Sequence, residues 1–367
     1  SVTQRLGAGF VVASGRWDRG QGFFTTPRSE RVPATARARF DSWSAGLRGV
    51  APLGDELELQ ARLHAFRDER VLRFEDADSM SEGQDASLRL VGRGPWQFDA
   101  LAYLQARNFS NVVISSTRFT RTLDQRNTPS TGFGGKLELR PPVGGGHTLR
   151  LGLDYRHADG ELQEEAYNAV SGLVTERRRA GGTNSSAGLF VEDDWRLGQL
   201  TLTGGLRADR TRIADGFYRA VNASGSVVSE IAAPSRADWT LSWRTGLAYD
   251  ATDVLRLRAA AYTGLRLPTL NELYRPFVVF PVVTLANADL KSERLEGFEV
   301  GLDFAPHEQL SLSLTAFDNR VEDAIANVTL APNLRQRRNL PAIDAQGVEA
   351  SISAVLGDLR FDGSLAF

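Results

Sequence analysis

No cysteine occurs in the 367 residues. That removes disulfide frameworks, thiolate metal sites and cysteine nucleophiles together, while leaving the redox compartment open. Long apolar runs are missing too: no window approaches the roughly 18 consecutive apolar residues that a membrane-spanning helix needs, and the first residues show no charged stretch followed by an apolar core. A helical membrane protein is excluded. Histidine is sparse, and His64, His147, His157 and His307 stand apart with no paired spacing, which argues against a zinc or haem site. Neither sign of charge dominates: the formal net charge is -2 and the pI about 6.2, so no overall basic field exists for nucleic acid. The glycine-rich VGGGHT lacks the Lys-Ser/Thr ending of a phosphate loop, and GAGFVV lacks the third glycine and following helix of a dinucleotide site. No Ser, His and Asp constellation stands out, so no enzyme is expected.

What the chain does have is alternation. From Glu56 to Phe66 the sequence ELELQARLHAF puts Leu57, Leu59, Ala61, Leu63 and Ala65 on one face and Glu58, Gln60, Arg62 and His64 on the other. The same two-residue period returns at Leu149 to Tyr155, Leu200 to Ala208, Leu310 to Leu314 and Val348 to Leu356. About fifteen such segments occur, many near ten residues, where strands of soluble proteins have about five or six. Between them, short turns such as APLGDE (51–56), PPVGGGH (141–147) and YDATD (249–253) alternate with segments of roughly twenty residues, near 16–36, 109–131, 159–182, 213–238 and 319–342. Long loops on every second connection all fall at one end of the strands. Short turns at one rim, long loops at the other, an apolar face and a polar face carrying opposite charges (Glu58 and Arg62, Arg207 and Asp209) are what an outer-membrane β-barrel requires. The competing fold is a soluble β-sandwich or propeller, which alternates in the same way but uses shorter strands. Trp43, Trp96, Tyr103, Trp195, Trp239, Trp243, Tyr249 and Tyr262 are candidates for interfacial girdles.

The stretch GLRLPTLNELYRPF (264–277), followed by NADLKSERLEGFEVGLDF (287–304), LSLSLTAFDNRVEDAI (310–325) and NLPAIDAQGVEASI (339–352), resembles the barrel of TonB-dependent outer-membrane receptors. In that family an Arg-x-Pro-x-x-x-Glu-Leu segment leads into an extracellular loop, an Asn-x-x-Leu-x-x-Glu segment begins the next strand, and Gly-Val-Glu begins another two strands later. Here they are Arg266, Pro268, Glu272 and Leu273; Asn287, Leu290 and Glu293; and Gly347, Val348 and Glu349. The resemblance implies an all-β, transmembrane, antiparallel up-and-down barrel of 22 strands, as in plugged outer-membrane transporters, of which about fifteen are covered here. Residues 1–367 are then expected to be an incomplete barrel domain, with the plug domain and last strands absent.

By the same resemblance the protein is expected in the outer membrane of a Gram-negative bacterium, as a monomer among lipids and lipopolysaccharide. The expected function is TonB-energised uptake of a scarce ligand, foremost a ferric siderophore, with the TonB-ExbB-ExbD complex acting through the missing plug region. The alternatives are import of cobalamin or another nutrient by the same fold, or a passive pore or structural barrel. Ligand capture is expected at the long-loop rim, where Arg16, Trp17, Phe23, Phe24 and Arg28, then Tyr218 and Arg219, then Tyr274, Arg275, Phe277 and Phe280, combine apolar rings with fork donors. Arg177, Arg178 and Arg179, with Arg335, Arg337 and Arg338, are either anion contacts or a solvated loop face. No cofactor is expected. In the acidic loop EDADSMSEGQD, Asp76, Asp78 and Asp85 are weak Ca²⁺ candidates, against the plainer reading of a solvated acidic loop.

Overall fold

A computed structural model describes residues 1–279 and 281–367. Strand follows strand: β1 (Val2–Leu6), β2 (Gly9–Gly20), β3 (Phe40–Pro52), β4 (Leu57–Val71), β5 (Asp78–Gly92), β6 (Gln97–Ile114) and β7 (Arg121–Asn127). Then come β8 (Ser130–Arg140), β9 (His147–Tyr167), β10 (Val174–Leu197), β11 (Leu200–Asn222), β12 (Val227–Ala232), β13 (Arg236–Thr252) and β14 (Leu255–Arg266). A short helix α1 (Leu270–Tyr274) precedes β15 (Phe277–Val279), β16 (Val282–Leu285), β17 (Glu293–His307), β18 (Leu310–Ala331), β19 (Leu334–Leu356) and β20 (Leu359–Ala366). All twenty belong to one sheet and pair mostly antiparallel. Among the described residues fifteen strands have eight residues or more, matching the alternating segments; β1, β7, β12, β15 and β16 are shorter pieces.

By its contacts the chain divides into two compact units: Ser1–Leu137, Asp154–Ala187 and Thr211–Ala237, and Glu138–Leu153, Gly188–Arg210 and Asp238–Phe367. In the first, the register across β2 to β6 aligns Val11, Gly49, Ala61, Leu88 and Ala102 in one row, and Ala13, Leu47, Leu63, Ala86 and Leu104 in the next. A row of small residues follows (Gly15, Ala45, Ala65, with Gln84, Ala106), then Trp17, Trp43, Arg67, Glu82 and Asn108. The opposite face carries charge: Arg107 donates to Asp85 at 2.5 Å and Arg89 to Asp99 at 2.5 Å. A one-residue slip would exchange the two faces, so the apolar rows themselves fix the register.

The second unit repeats this logic. Tyr249, Leu257, Leu302, Leu314 and Ala350 share a row, followed by Leu247, Ala259, Val300, Ala316 and Val348. Next stand Thr245, Ala261, Phe298, Asp318 and Gln346. A charge on a lipid-facing strand is costly at the midplane, about 2–4 kcal/mol for Arg or Lys and less for Asp, and costs little near the interface, so Asp318 marks where the apolar belt ends. On the polar face Arg258 reaches Asp303 and Thr315, and Tyr262 donates to Glu299 at 2.6 Å. Tyr262 therefore belongs to the polar side rather than to a girdle, as does Tyr103, which aligns with Ser87 and Arg62.

The structure corrects the expected loops. β18 and β19 run 22 and 23 residues, about twice the nine to eleven that a tilted strand needs to cross a bilayer. The segment 319–342 is thus a paired hairpin closed at Ala331 and Leu334, and Gly347 lies inside β19 instead of starting it. Likewise β9 reaches Tyr167 and β10 starts at Val174, inside the expected loop 159–182. Above the belt both faces of a strand meet water, so pairing continues while the apolar alternation stops. The connection between β2 and β3 is a true loop, and its second arm zips onto the β4–β5 tip: Ala36 N–H donates to Arg73 O at 3.0 Å and Glu75 N–H to Ala34 O at 2.9 Å. Its first turn needs Gly22, at φ +58°, because a Cβ there would strike the carbonyl of Ala38.

Candidate functional site

The candidate residues form three groups, two in the first unit and one in the second. The first is the loop from Gln21 to Arg39. Phe23 is 72% exposed. Phe24 lies beneath two guanidiniums, Arg31 at 4.1 Å and Arg37 at 5.1 Å from its ring centre. Arg28 lies in a 3-10 turn (Arg28–Glu30) and is exposed. The pair Arg16 and Trp17 is split by the pleat. Trp17 stands in one row with Trp43 on the face of Leu47 and Leu63, its indole N–H donating to Asp41 at 2.8 Å. That position suits an interfacial ring and removes Trp17 from the ligand-facing set. Arg16 points to the other face and pairs with Asp18.

The second group lies on β9 to β12. Tyr218 is half-buried beside Arg178, Glu176 and Glu164, and burial pushes its phenol up. Arg219 reaches Glu230 at 3.6 Å. The arginine run is spoken for: Arg177 binds Glu165 at 3.1 Å, Arg178 binds Glu176 at 2.7 Å and Glu164 at 3.5 Å, and Arg179 binds Glu161 at 2.8 Å. Glu164 is only 3% exposed. The pairs to Glu161, Glu164 and Glu165 cross from β10 to β9 and stitch the hairpin, while Glu176 pairs with Arg178 along β10, so the run is not an open anion contact.

The third group is the motif itself. Thr269 caps α1 in a reciprocal box: its hydroxyl accepts from the Glu272 N–H at 3.2 Å, and the Glu272 carboxylate accepts from the Thr269 N–H at 2.8 Å. Arg266, the last residue of β14, donates to Glu272 at 3.1 Å and also binds Glu293, the first residue of β17. The two carboxylates raise the Arg266 guanidinium well above its usual range. Burial works to raise Glu272, but Arg266 and the two Thr269 donors outweigh it and hold the carboxyl below its usual range. Glu293 is held low by Arg266, against its own burial. Pro268, Leu273 and Leu290 are fully buried beneath this frame. Asn287 accepts from Asp289 N–H at 3.0 Å and donates to Arg337 O at 3.0 Å.

Arg337 completes the frame. It is 7% exposed, donates to the carbonyls of Asn271 at 2.6 Å and Arg275 at 2.9 Å, and lies 5.0 Å over the Phe277 ring. Burial pushes its guanidinium down. It thus acts as a cationic cap on the carbonyl end of α1. Tyr274 is 5% exposed on the inner side of α1, which withdraws it from a ligand-facing surface; Arg275 and Phe277 are half-buried. Phe280 lies outside the described residues. Gly347 allows close approach, since a Cβ there would fall 2.5 Å from Phe367 O.

The Ca²⁺ candidates are not assembled. Asp78 and Asp85 lie on opposite faces of β5, about 23 Å apart at 3.3 Å per residue, and Asp85 is taken by Arg107 and Gln105. Burial and Asp76 push Asp78 up. Among the described residues no cluster of three or more His, Asp or Glu could hold a metal.

The β-barrel description "TonB dependent receptor-like, beta-barrel" matches residues 16–367. The chain belongs to this TonB-dependent receptor family. Its long apolar rows therefore face the lipid of a Gram-negative outer membrane, and neither the family nor its structural neighbours are enzymes. Vitamin B12 transporter BtuB of Photobacterium profundum is 28% identical over 130 residues, 34% of this chain and 20% of that protein. The iron-regulated outer membrane virulence protein of Vibrio cholerae is 24% identical over 233 residues, 59% of this chain and 31% of that protein. Among solved structures, copper transporter OprC superposes with TM-score 0.76 at 17% identity, and the ferric yersiniabactin uptake receptor FyuA of Yersinia pestis with 0.71 at 15%; both alignments cover 98% of this chain and 56% of the other. At such identity these structures speak for the fold. The chain spans about half the length of the solved receptors that it resembles.

What sequence reading missed is instructive. The helix α1 carried its own signal, the Thr269-x-x-Glu272 capping box ahead of Leu273. Arg31 and Arg37 carried none, because only the folded loop brings them to Phe24.

Proposed function

We propose that the protein is the barrel part of an importer that takes up a ferric siderophore, energised by the TonB complex through a plug region. The observation that carries this reading is the loop surface of Phe23, Phe24, Arg28, Arg31 and Arg37, which offers aromatic rings and fork donors together, a combination suited to an anionic aromatic chelate. The names of several neighbours agree with it, among them the ferric yersiniabactin uptake receptor and a ferric enterobactin receptor. Cobalamin import is the second reading, favoured by the two BtuB relatives. In either case the motif frame around Arg266 holds the rim in shape and does not touch ligand, and no resident cofactor takes part. The test is an uptake panel in an outer-membrane receptor-deficient host expressing the protein, supplied in turn with ferric tris-catecholate, ferric tris-hydroxamate, haem and cobalamin. Uptake of a ferric chelate supports the proposal. Uptake of cobalamin alone replaces it, and uptake of every solute without regard to TonB reassigns the protein as a passive pore.

A further inference from the structure

Many arginines of this chain pair with carboxylates, including neighbours of the first loop. At the foot of the first loop Arg39 binds Glu75 at 2.7 Å, and nearby Arg70 binds Asp68 at 2.6 Å. Arg31 and Arg37 do not. Among the described residues neither has a carboxylate partner: Arg31 uses Nε on the carbonyl of Thr26 at 3.0 Å, and Arg37 uses Nη1 on the carbonyl of Gly22 at 3.4 Å. Both stand over the one ring of Phe24. The loop is also unbalanced in composition, with Arg28, Arg31, Arg37 and Arg39 against Glu30 alone.

Two like charges on one ring repel each other, and the negative face of the ring offsets only part of that repulsion. The backbone nevertheless holds them there. The Val32 N–H donates to Thr35 Oγ1 at 2.8 Å, the Thr35 N–H to Val32 O at 2.9 Å, and the Ala38 N–H to Phe23 O at 2.9 Å, so both arms of the loop are fixed around Phe24. Among the described residues the bonds they make leave both Nη groups of Arg31 and the Nη2 and Nε groups of Arg37 without an acceptor. Planar forks of this kind fit paired oxygen acceptors.

We propose that Arg31 and Arg37, stacked on Phe24, form an anion-recognition site that selects ligands presenting at least two negatively charged oxygens. The proposal rests on the importer reading and sharpens it by naming the charge class of the cargo: the site discriminates for a polyanionic chelate and against a neutral one. It also distinguishes these arginines from Arg177, Arg178 and Arg179, whose forks are already filled by glutamates.

The test is calorimetric titration of the detergent-solubilised protein with inorganic pyrophosphate, a trianionic ferric tris-catecholate and a neutral ferric tris-hydroxamate. The parent protein is expected to bind both anions. The double substitution Arg31→Gln with Arg37→Gln should weaken both by about tenfold or more, Phe24→Leu by less, and the double lysine variant should fall between. Binding of the neutral chelate should not respond. Heat-dependent gel migration checks the barrel, and the single glutamine variants give the readout if the double fails to fold. Unchanged anion affinity in the glutamine variants overturns the site even if ferric chelate is imported, as does a parent protein that binds no pyrophosphate. Arginine-dependent pyrophosphate binding in a protein that imports no ferric chelate upholds the site and defeats the importer reading instead.

Discussion

Arg266 and Glu272 meet across Pro268, Nη1 to Oε2 at 3.1 Å, and the same guanidinium binds Glu293 at the start of β17. The end of the strand is thus a clasp: it closes β14, holds the capping box of α1 and starts β17, the antiparallel partner of β14, through one cation. Pro268 has no amide proton to extend the ladder and is buried under the clasp.

Removing the Glu272 side chain takes away the reciprocal half of the α1 capping box and half of the clasp. Glu272→Ala should lower the stability of the rim by about 1–2 kcal/mol, through the lost hydrogen bonds to the Thr269 N–H and the Arg266 guanidinium, and should speed protease cleavage near Tyr274 while leaving the barrel folded. A cleavage rate equal to that of the parent would contradict the clasp.

The same carboxylates give the rim a pH dependence of known sign. Glu272 and Glu293 titrate below their unfolded values, so the stability they contribute is fully present above the unfolded carboxylate value of about 4.3. It is lost as pH falls through their lowered folded values. Hydrogen exchange of residues 266–275 should be flat from about pH 7 to 5 after correction for intrinsic rates, and protection should drop below about pH 4. Glu272→Gln should flatten that drop, and a loss of protection on raising the pH would reverse the account.

Arg337 is the buried cap of the other end of α1. Arg337→Met takes the guanidinium away from the carbonyl of Arg275 and from that of Asn271, which keeps only the Arg275 N–H at 3.2 Å, at a cost of about 1–3 kcal/mol. Arg337→Lys should not rescue it, since a point-like ammonium cannot hold both carbonyls while stacking on Phe277. Urea unfolding followed by a fluorophore on Val278 would report the difference; equal midpoints for Arg337→Lys and the parent would refute the cap.

Trp17 and Trp43, adjacent on the apolar face, should report lipid and not ligand. Single-tryptophan variants are expected to be quenched by lipid brominated near the head group and to be indifferent to added chelate. Quenching by chelate would return Trp17 to the binding surface.

The belt was legible in the sequence because lipid on one face and polar groups on the other impose a strict two-residue period, visible at Leu57, Leu59 and Leu63 and again at Leu310, Leu312 and Leu314. Above the belt the period disappears. There β18 and β19 stay paired as far as Ala331 and Leu334, yet water on both faces lets Gln336 and Arg338 stand where apolar residues would otherwise be needed. The motif frame was legible as a spacing, and its physical content, a capping box tied to a two-carboxylate clasp, needed the fold. The stack on Phe24 was not legible, because Arg31 and Arg37 lie seven and thirteen residues beyond Phe24 with no period to link them.

The most direct measurement is the initial rate of radiolabelled iron uptake from a ferric tris-catecholate by cells carrying this protein, before and after the proton gradient is collapsed. Energised import predicts accumulation that stops when the gradient is lost. Uptake that continues at the same rate without the gradient, or no uptake of iron at all, would contradict it.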